Sequence, residues 1–125
     1  MASTNNHSDS ACRLMHHLAY TYLAHHRAEK AVVLLQAIEA LGQADGRVLA
    51  LLALAQRKAK QPQQALLTLD RIAPDTVDAP LATAVHLIRA QALQALGRSD
   101  DAYQAMQKYI AGRQRLPATS YKEAL

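Results

Sequence analysis

The chain has 125 residues, half of them hydrophobic, and carries 14 Lys and Arg against 10 Asp and Glu, for a net charge of +4 and a pI near 9.5. A chain of this length forms one domain that buries roughly two-thirds of its unfolded surface, so its core needs neither a disulfide nor a metal. Cys12 is the only cysteine and cannot form an internal bridge, no apolar run reaches the ~18 residues of a membrane span, and the polar start lacks the basic and apolar blocks of a secretory signal.

Residues 1–9, rich in Ser and Asn, read as a flexible polar tail. After Ser10 apolar residues recur at i, i+3, i+4 and i+7, which predicts six helices. The first spans about 10–25, with Ser8, Asp9 or Ser10 available to cap its free amides. The second, about 28–41, ends before Gly42, a residue that accepts the left-handed conformation common after a helix. The third runs from near Asp45 to Ala59, and the fourth opens on Pro62, whose missing amide costs nothing in a first turn, and ends before Pro74. A loop holding Pro74, Asp75, Asp78 and Pro80 leads to the fifth, about 80–96, which stops at Gly97. Ser99 is expected to cap the sixth, which runs to about Ala111, with Gly112, Pro117, Thr119 and Ser120 reading as loop. Residues 113–125 form a C-terminal tail with room for a short helix. Ala and Leu dominate and alternating patterns never persist, so the fold class is all-α.

The helices repeat in pairs. Leu18, Ala19, Tyr22, Ala31, Leu35 and Ile38 are followed 34 residues later by Leu52, Ala53, Gln56, Ala65, Leu69 and Ile72. A third copy, Arg89, Ala90, Leu93, Ala102, Met106 and Tyr109, is displaced by 37, because the loop Ala73 to Pro80 holds three extra residues. Small residues recurring at such a period, where helices must approach closely, mark a helical repeat array. Three units are about the minimum for such an array, and they divide the domain, residues 10–112, into repeats at about 12–44, 46–78 and 83–112.

In this spacing residues 13–111 resemble the tetratricopeptide (TPR) family. Met15, Leu49 and His86 stand where that family usually has a large aromatic, and His26 and Lys60 replace its turn glycine, which is kept at Gly97. The resemblance implies three tandem helical hairpins in a short right-handed superhelix, whose first helices line a concave partner-binding surface. Transferred residue by residue, that surface comprises Arg13, His16, Tyr20 and Leu23, then Arg47, Ala50, Leu54, Arg57 and Lys58, then Leu87, Gln91 and Gln94. Its apolar floor through Tyr20, Leu23, Leu54 and Leu87, set among cations, suits an amphipathic helix with acidic flanks. The same leucines also fit an ordinary core between repeats, since groove and core positions alternate within one turn. His16, Ala50 and Leu87, then Tyr20, Leu54 and Gln91, depart from the Lys and Asn pattern by which one TPR subclass clamps a C-terminal carboxylate.

The stretches from His26 to Leu35, Arg89 to Leu93 and Asp100 to Tyr109 also resemble the small TPR chaperones of bacterial type III secretion systems. That resemblance implies a cytoplasmic chaperone in protein transport, which holds an amphipathic helix of a small secreted or export-apparatus subunit and keeps it soluble and export-competent. A generic TPR adaptor or scaffold is the alternative. Met106, Tyr109 and Ile110 end the third copy with little to cover them, a surface for a homodimer or a second chaperone subunit.

Other chemistry finds little footing. No phosphate loop, HExxH pair or nucleophile elbow occurs, so no enzyme activity, catalytic residue or cofactor is expected. Asp100 and Asp101 open a helix, where carboxylates favour the dipole. The pairs His16, His17 and His25, His26 lie nine residues apart, too far along a helix for one tetrahedral metal site. Arg57, Lys58 and Lys60 cluster without an aromatic platform, which disfavours nucleic acid as the partner.

Overall fold

A computed structural model describes the backbone of residues 2–116 and the side chains of residues 9–116. It consists of α1 (Ala2–Ala24), α2 (Ala28–Ala40), α3 (Gly46–Lys58), α4 (Pro62–Asp70), a 3₁₀ turn (Pro74–Thr76), α5 (Ala79–Ala95) and α6 (Ser99–Gln114), with no strand among the described residues. The protein is therefore all-helical, and each of the six expected helices is present.

Their ends follow local chemistry. Asp45, near which α3 was expected to start, caps it, its Oδ1 accepting from the Val48 amide at 2.9 Å. Asp78 does the same for α5 through Leu81 N at 3.0 Å, so that helix begins one residue ahead of Pro80. Three expectations are corrected. α1 starts at Ala2 instead of Ser10, because nothing between them is a Pro or Gly to break the backbone ladder, and Ser10 is interior to the helix. Ser99 is not a cap: Arg98 takes that place, its carbonyl receiving the Ala102 amide at 2.9 Å. Gly112 is not a stop, since α6 continues through it to Gln114. There glycine permits close approach, because an added Cβ would lie 2.5 Å from Thr83 Oγ1 of α5.

The pairs α1–α2, α3–α4 and α5–α6 are helical hairpins closed by one and the same turn. The amides of Arg27, Gln61 and Arg98 donate to the carbonyls of Tyr22, Gln56 and Leu93 at 2.8, 2.8 and 2.9 Å. Inside each, the amides of His26, Lys60 and Gly97 donate to Leu23, Arg57 and Gln94 at 3.2, 3.1 and 3.0 Å. This double bond to the preceding helix end requires a left-handed residue, and φ is +60° at His26, +65° at Lys60 and +76° at Gly97. His26 and Lys60 thus occupy the turn-glycine position, and the three turns keep the 34- and 37-residue steps of the sequence frame.

Packing follows the same frame. Ala19, Ala53, Ala90, Ala31, Ala65 and Ala102 are all buried, none more than 6% exposed. One core cluster joins the first two hairpins through Leu23, Val32, Leu35, Ile38, Val48, Leu51 and Leu52, and another joins the last two through Leu66, Leu69, Ile88 and Leu93. Gln56, which replaces an apolar residue of the frame, is buried but satisfied by the Thr68 hydroxyl, which donates to its Oε1 at 2.6 Å. The three extra loop residues fold back instead of hanging free: Thr76 Oγ1 donates to the Ala73 carbonyl at 2.6 Å, and Val77 covers Gly46, where an added Cβ would meet Val77 Cγ1 at 2.7 Å.

Two substitutions test this account by denaturant unfolding. Ala65→Leu overpacks the hairpin contact and lowers stability by about 1–3 kcal/mol, whereas Ala40→Leu, on the exposed end of α2, leaves it unchanged. Lys60→Gly relieves the left-handed strain and raises stability by roughly 0.5–1 kcal/mol, net of the greater freedom of glycine in the unfolded chain.

Candidate partner-binding surface

α1, α3 and α5 carry every residue of the sequence-derived surface, and the structure gathers these into two groups and a scattered remainder. The first group lies where α1 meets the start of α3. Arg13 and His16 line a small cleft of about 190 Å³ together with Asp9, Cys12, Gln43 and Asp45. The rings of His16 and Tyr20 lie 6.0 Å apart, one helical turn from each other. Burial and the charge of Arg47 both hold the His16 imidazole below its ordinary value, and burial pushes the Tyr20 hydroxyl up against the opposing effect of that same arginine. This end is a half-dry corner where Arg13 and Arg47 are balanced by Asp9 and Asp45 around an imidazole that binds a proton weakly.

The second group lies between the end of α3 and the last hairpin. Arg57, Gln91 and Gln94 line a groove of about 610 Å³ with Ala90, Ala95, Ser99, Ala102, Tyr103 and Met106. Arg57 makes no hydrogen bond or ion pair among the described residues, and its Nε is buried without an acceptor. Burial lowers its affinity for a proton, although a guanidinium remains charged throughout the accessible pH range. A half-desolvated cation beside amide side chains and small apolar walls favours a ligand that supplies a carboxylate alongside apolar surface.

The remaining residues are placed differently. Leu23 and Ala50 are buried at 7% and 0% exposure, so they support the surface from beneath. Leu54 is half-buried and packs against both core clusters, tying them together. Leu87 is half-buried and belongs to neither cluster, which leaves it as the leucine of the set with the least structural duty. Lys58 is exposed at the rim. At the far end Tyr109 is buried, contrary to the expectation that it lies uncovered, on the helix that meets α5 closely at Gly112; Ile110 is exposed and Met106 half-covered.

Sequence reasoning missed Tyr103 as a groove wall. Its signal was present: Tyr103 stands at the repeat position of Val32 and Leu66, both buried. It also missed an outer cleft of about 570 Å³ between α4, α5 and α6, lined by Gln63, Asp70, His86, Arg89, Arg98 and Lys108. Arg89 there pairs with Asp70 at 3.1 Å, and Arg98 with Asp101 at 2.8 Å. Burial and the charges of Lys108 and Arg89 hold His86 below its ordinary value.

His16 and His86 bind a proton less readily in the folded than in the unfolded chain, so neither costs anything above the ordinary value of 6.5. As pH falls below 6.5 the unfolded chain takes up protons first, and stability declines until the folded-state values are passed. Urea unfolding at pH 7.5 and 5.0 is expected to show lower stability at the acid value, and His16→Gln with His86→Gln to narrow the difference. Compared with family models, curated proteins and solved structures, the chain matches none, so its functional reading rests on the chemistry of this surface.

Proposed function

We propose that the chain is a three-repeat TPR array that works as a small cytoplasmic chaperone of a bacterial type III secretion system. In this reading the concave face holds an amphipathic helix of a small secreted subunit, keeping its apolar side away from other copies and the subunit export-competent. The support is twofold: hairpins closed by identical turns at the 34- and 37-residue steps, and a groove whose one cation has no partner among the described residues.

The unpaired Arg57 carries the reading. A buried guanidinium nitrogen without an acceptor is a standing cost, which an acidic residue of a bound helix would remove, and a hydrogen bond to a charged group is worth about 1.5–3 kcal/mol. Apolar residues elsewhere on the same client helix would then cover Leu87 and Tyr20, at roughly 25 cal/mol per Å² of apolar area. A nucleic acid could also neutralise an arginine, but no aromatic platform accompanies Arg57 beyond the single Tyr103.

Purification of the tagged chain from its native cytoplasm, followed by mass spectrometry, tests the class: an export chaperone retrieves one small secreted subunit in near-equal amount, a generic adaptor a mixture of larger complexes. Against that subunit, Leu87→Asp is expected to abolish binding with the helical circular dichroism unchanged, and Arg57→Gln to weaken it about tenfold or more. Full binding by both variants removes the concave face as the site.

A further inference from the structure

The junction between successive hairpins is built to one pattern, used twice within the chain. In the first junction α3 contributes Val48, Leu51, Leu52 and Ala55 to a core cluster with Val32 and Leu35 of α2. In the second, α5 contributes Val85, Ile88 and Ala92 to a cluster with Leu66 and Leu69 of α4. The inserted faces correspond at a step of 37 residues and the receiving faces at a step of 34.

Each end of the chain keeps one half of this pattern without the other. The receiving positions after Val32, Leu35 and Leu66, Leu69 are Tyr103 and Met106 of α6. Tyr103 is 67% exposed, where Val32 and Leu66 are each 6% exposed, and it walls the open 610 Å³ groove. At the other end the inserted positions before Val48 and Leu52 are Leu14 and Leu18 of α1. These are 61% and 40% exposed, where Val48 and Leu52 are 7% and 1%.

We infer that α1 of a second copy of this chain docks, through Leu14 and Leu18, in the groove walled by Tyr103 and Met106, so that copies associate head to tail. The second copy is the occupant because this chain itself carries both halves, in the register that its two internal junctions already use. Leu14 and Leu18 take the places of Val85 and Arg89, and His17 takes that of Ile88, facing the position where Tyr103 stands for Leu66. The polar replacements His17, Thr21, Gln91 and Gln94 thin the apolar content of this contact relative to the internal ones, so association is reversible and concentration-dependent. The contact is heterologous: a dimer still offers one free α1 and one free groove, and growth continues unless the copies close into a ring. This goes beyond the chaperone reading: Arg57 lines the same groove, so a second copy and a client compete for it, and the test varies Leu14 and Tyr103, which that reading does not use, so either can fail alone.

Sedimentation velocity and light scattering on the full chain, from low micromolar to submillimolar concentration, provide the test. The mass is expected to rise from monomer through dimer to larger species. Leu14→Asp and Tyr103→Asp, both at exposed positions and so compatible with the fold, are each expected to remain monomeric with unchanged circular dichroism. Mixed together they are expected to form a one-to-one dimer that grows no further, since one copy retains its α1 face and the other its groove. A wild-type chain that stays monomeric throughout overturns the inference, whether residues 117–125 or a different protein takes the groove. So does either single variant that still dimerises with itself, which would place the contact on another face.

Discussion

Two helices can pack with their axes about 8 Å apart only where small side chains meet, and larger residues push them towards 10 Å. In this chain the small residues of the frame, Ala19 and Ala31, Ala53 and Ala65, and Ala90 and Ala102, are all buried in the two core clusters, and Gly112 meets Thr83 at the open end of the last hairpin. Everything else follows from that spacing. It brings Leu35, Leu69 and Leu93 deep enough to be buried, and it forces the chain to reverse within three residues, which the left-handed turns at His26, Lys60 and Gly97 accomplish. At two of the three turns the left-handed residue bears a side chain, a cost of order 1–2 kcal/mol each that the surrounding packing must offset.

The elements that could be read in the sequence are those governed by short-range rules. The alanine frame, the Pro62 start and the turn positions of Gly42 and Gly97 each depend on a residue type at a fixed offset, and each is where it was expected. What escaped depends on neighbours distant in sequence. Gly112 looks like a helix stop until Thr83 is seen against it, and the loop from Ala73 looks open until Val77 is found over Gly46. The candidate surface was legible in outline only. Leu23, Leu54 and Leu87 share one periodic pattern yet end up buried, bridging two cores and half-exposed, because exposure is decided by which helix lies across each one.

Charge is distributed with a comparable logic. Arg71 holds Glu39 in a two-pronged pair at 2.6 and 2.8 Å, which keeps that carboxylate below its ordinary value and links α2 to the end of α4. Arg89 links α5 to Asp70 at the end of α4 in the same manner. Exposed pairs of this kind contribute at most about 1 kcal/mol, so they set the register of neighbouring hairpins more than they stabilise them. Arg57, by contrast, faces the groove with no carboxylate partner among the described residues. The arginines that span hairpins are therefore neutralised by neighbouring carboxylates, while the one beside Tyr103 and Gln94 is half-desolvated without such a counter-charge among the described residues.

Among the described residues the first and last hairpins each have one neighbour, where the middle hairpin has two. Repeat proteins commonly meet this with a terminal unit whose outer face is polar. Here the remedy is partial. Gln91 and Gln94 replace Leu54 and Arg57 at one end, and His17 and Thr21 replace Leu51 and Ala55 at the other, yet Tyr103 and Met106, Leu14 and Leu18 keep the apolar character of inner positions. Had solubility been the sole demand on these faces, charged residues at Leu14 and Tyr103 would have met it without touching the core, since both lie largely in solvent. The retention of apolar side chains at the very positions that form the internal junctions ties the two ends of the chain to a common packing rule, and makes their exposure a property of the isolated copy.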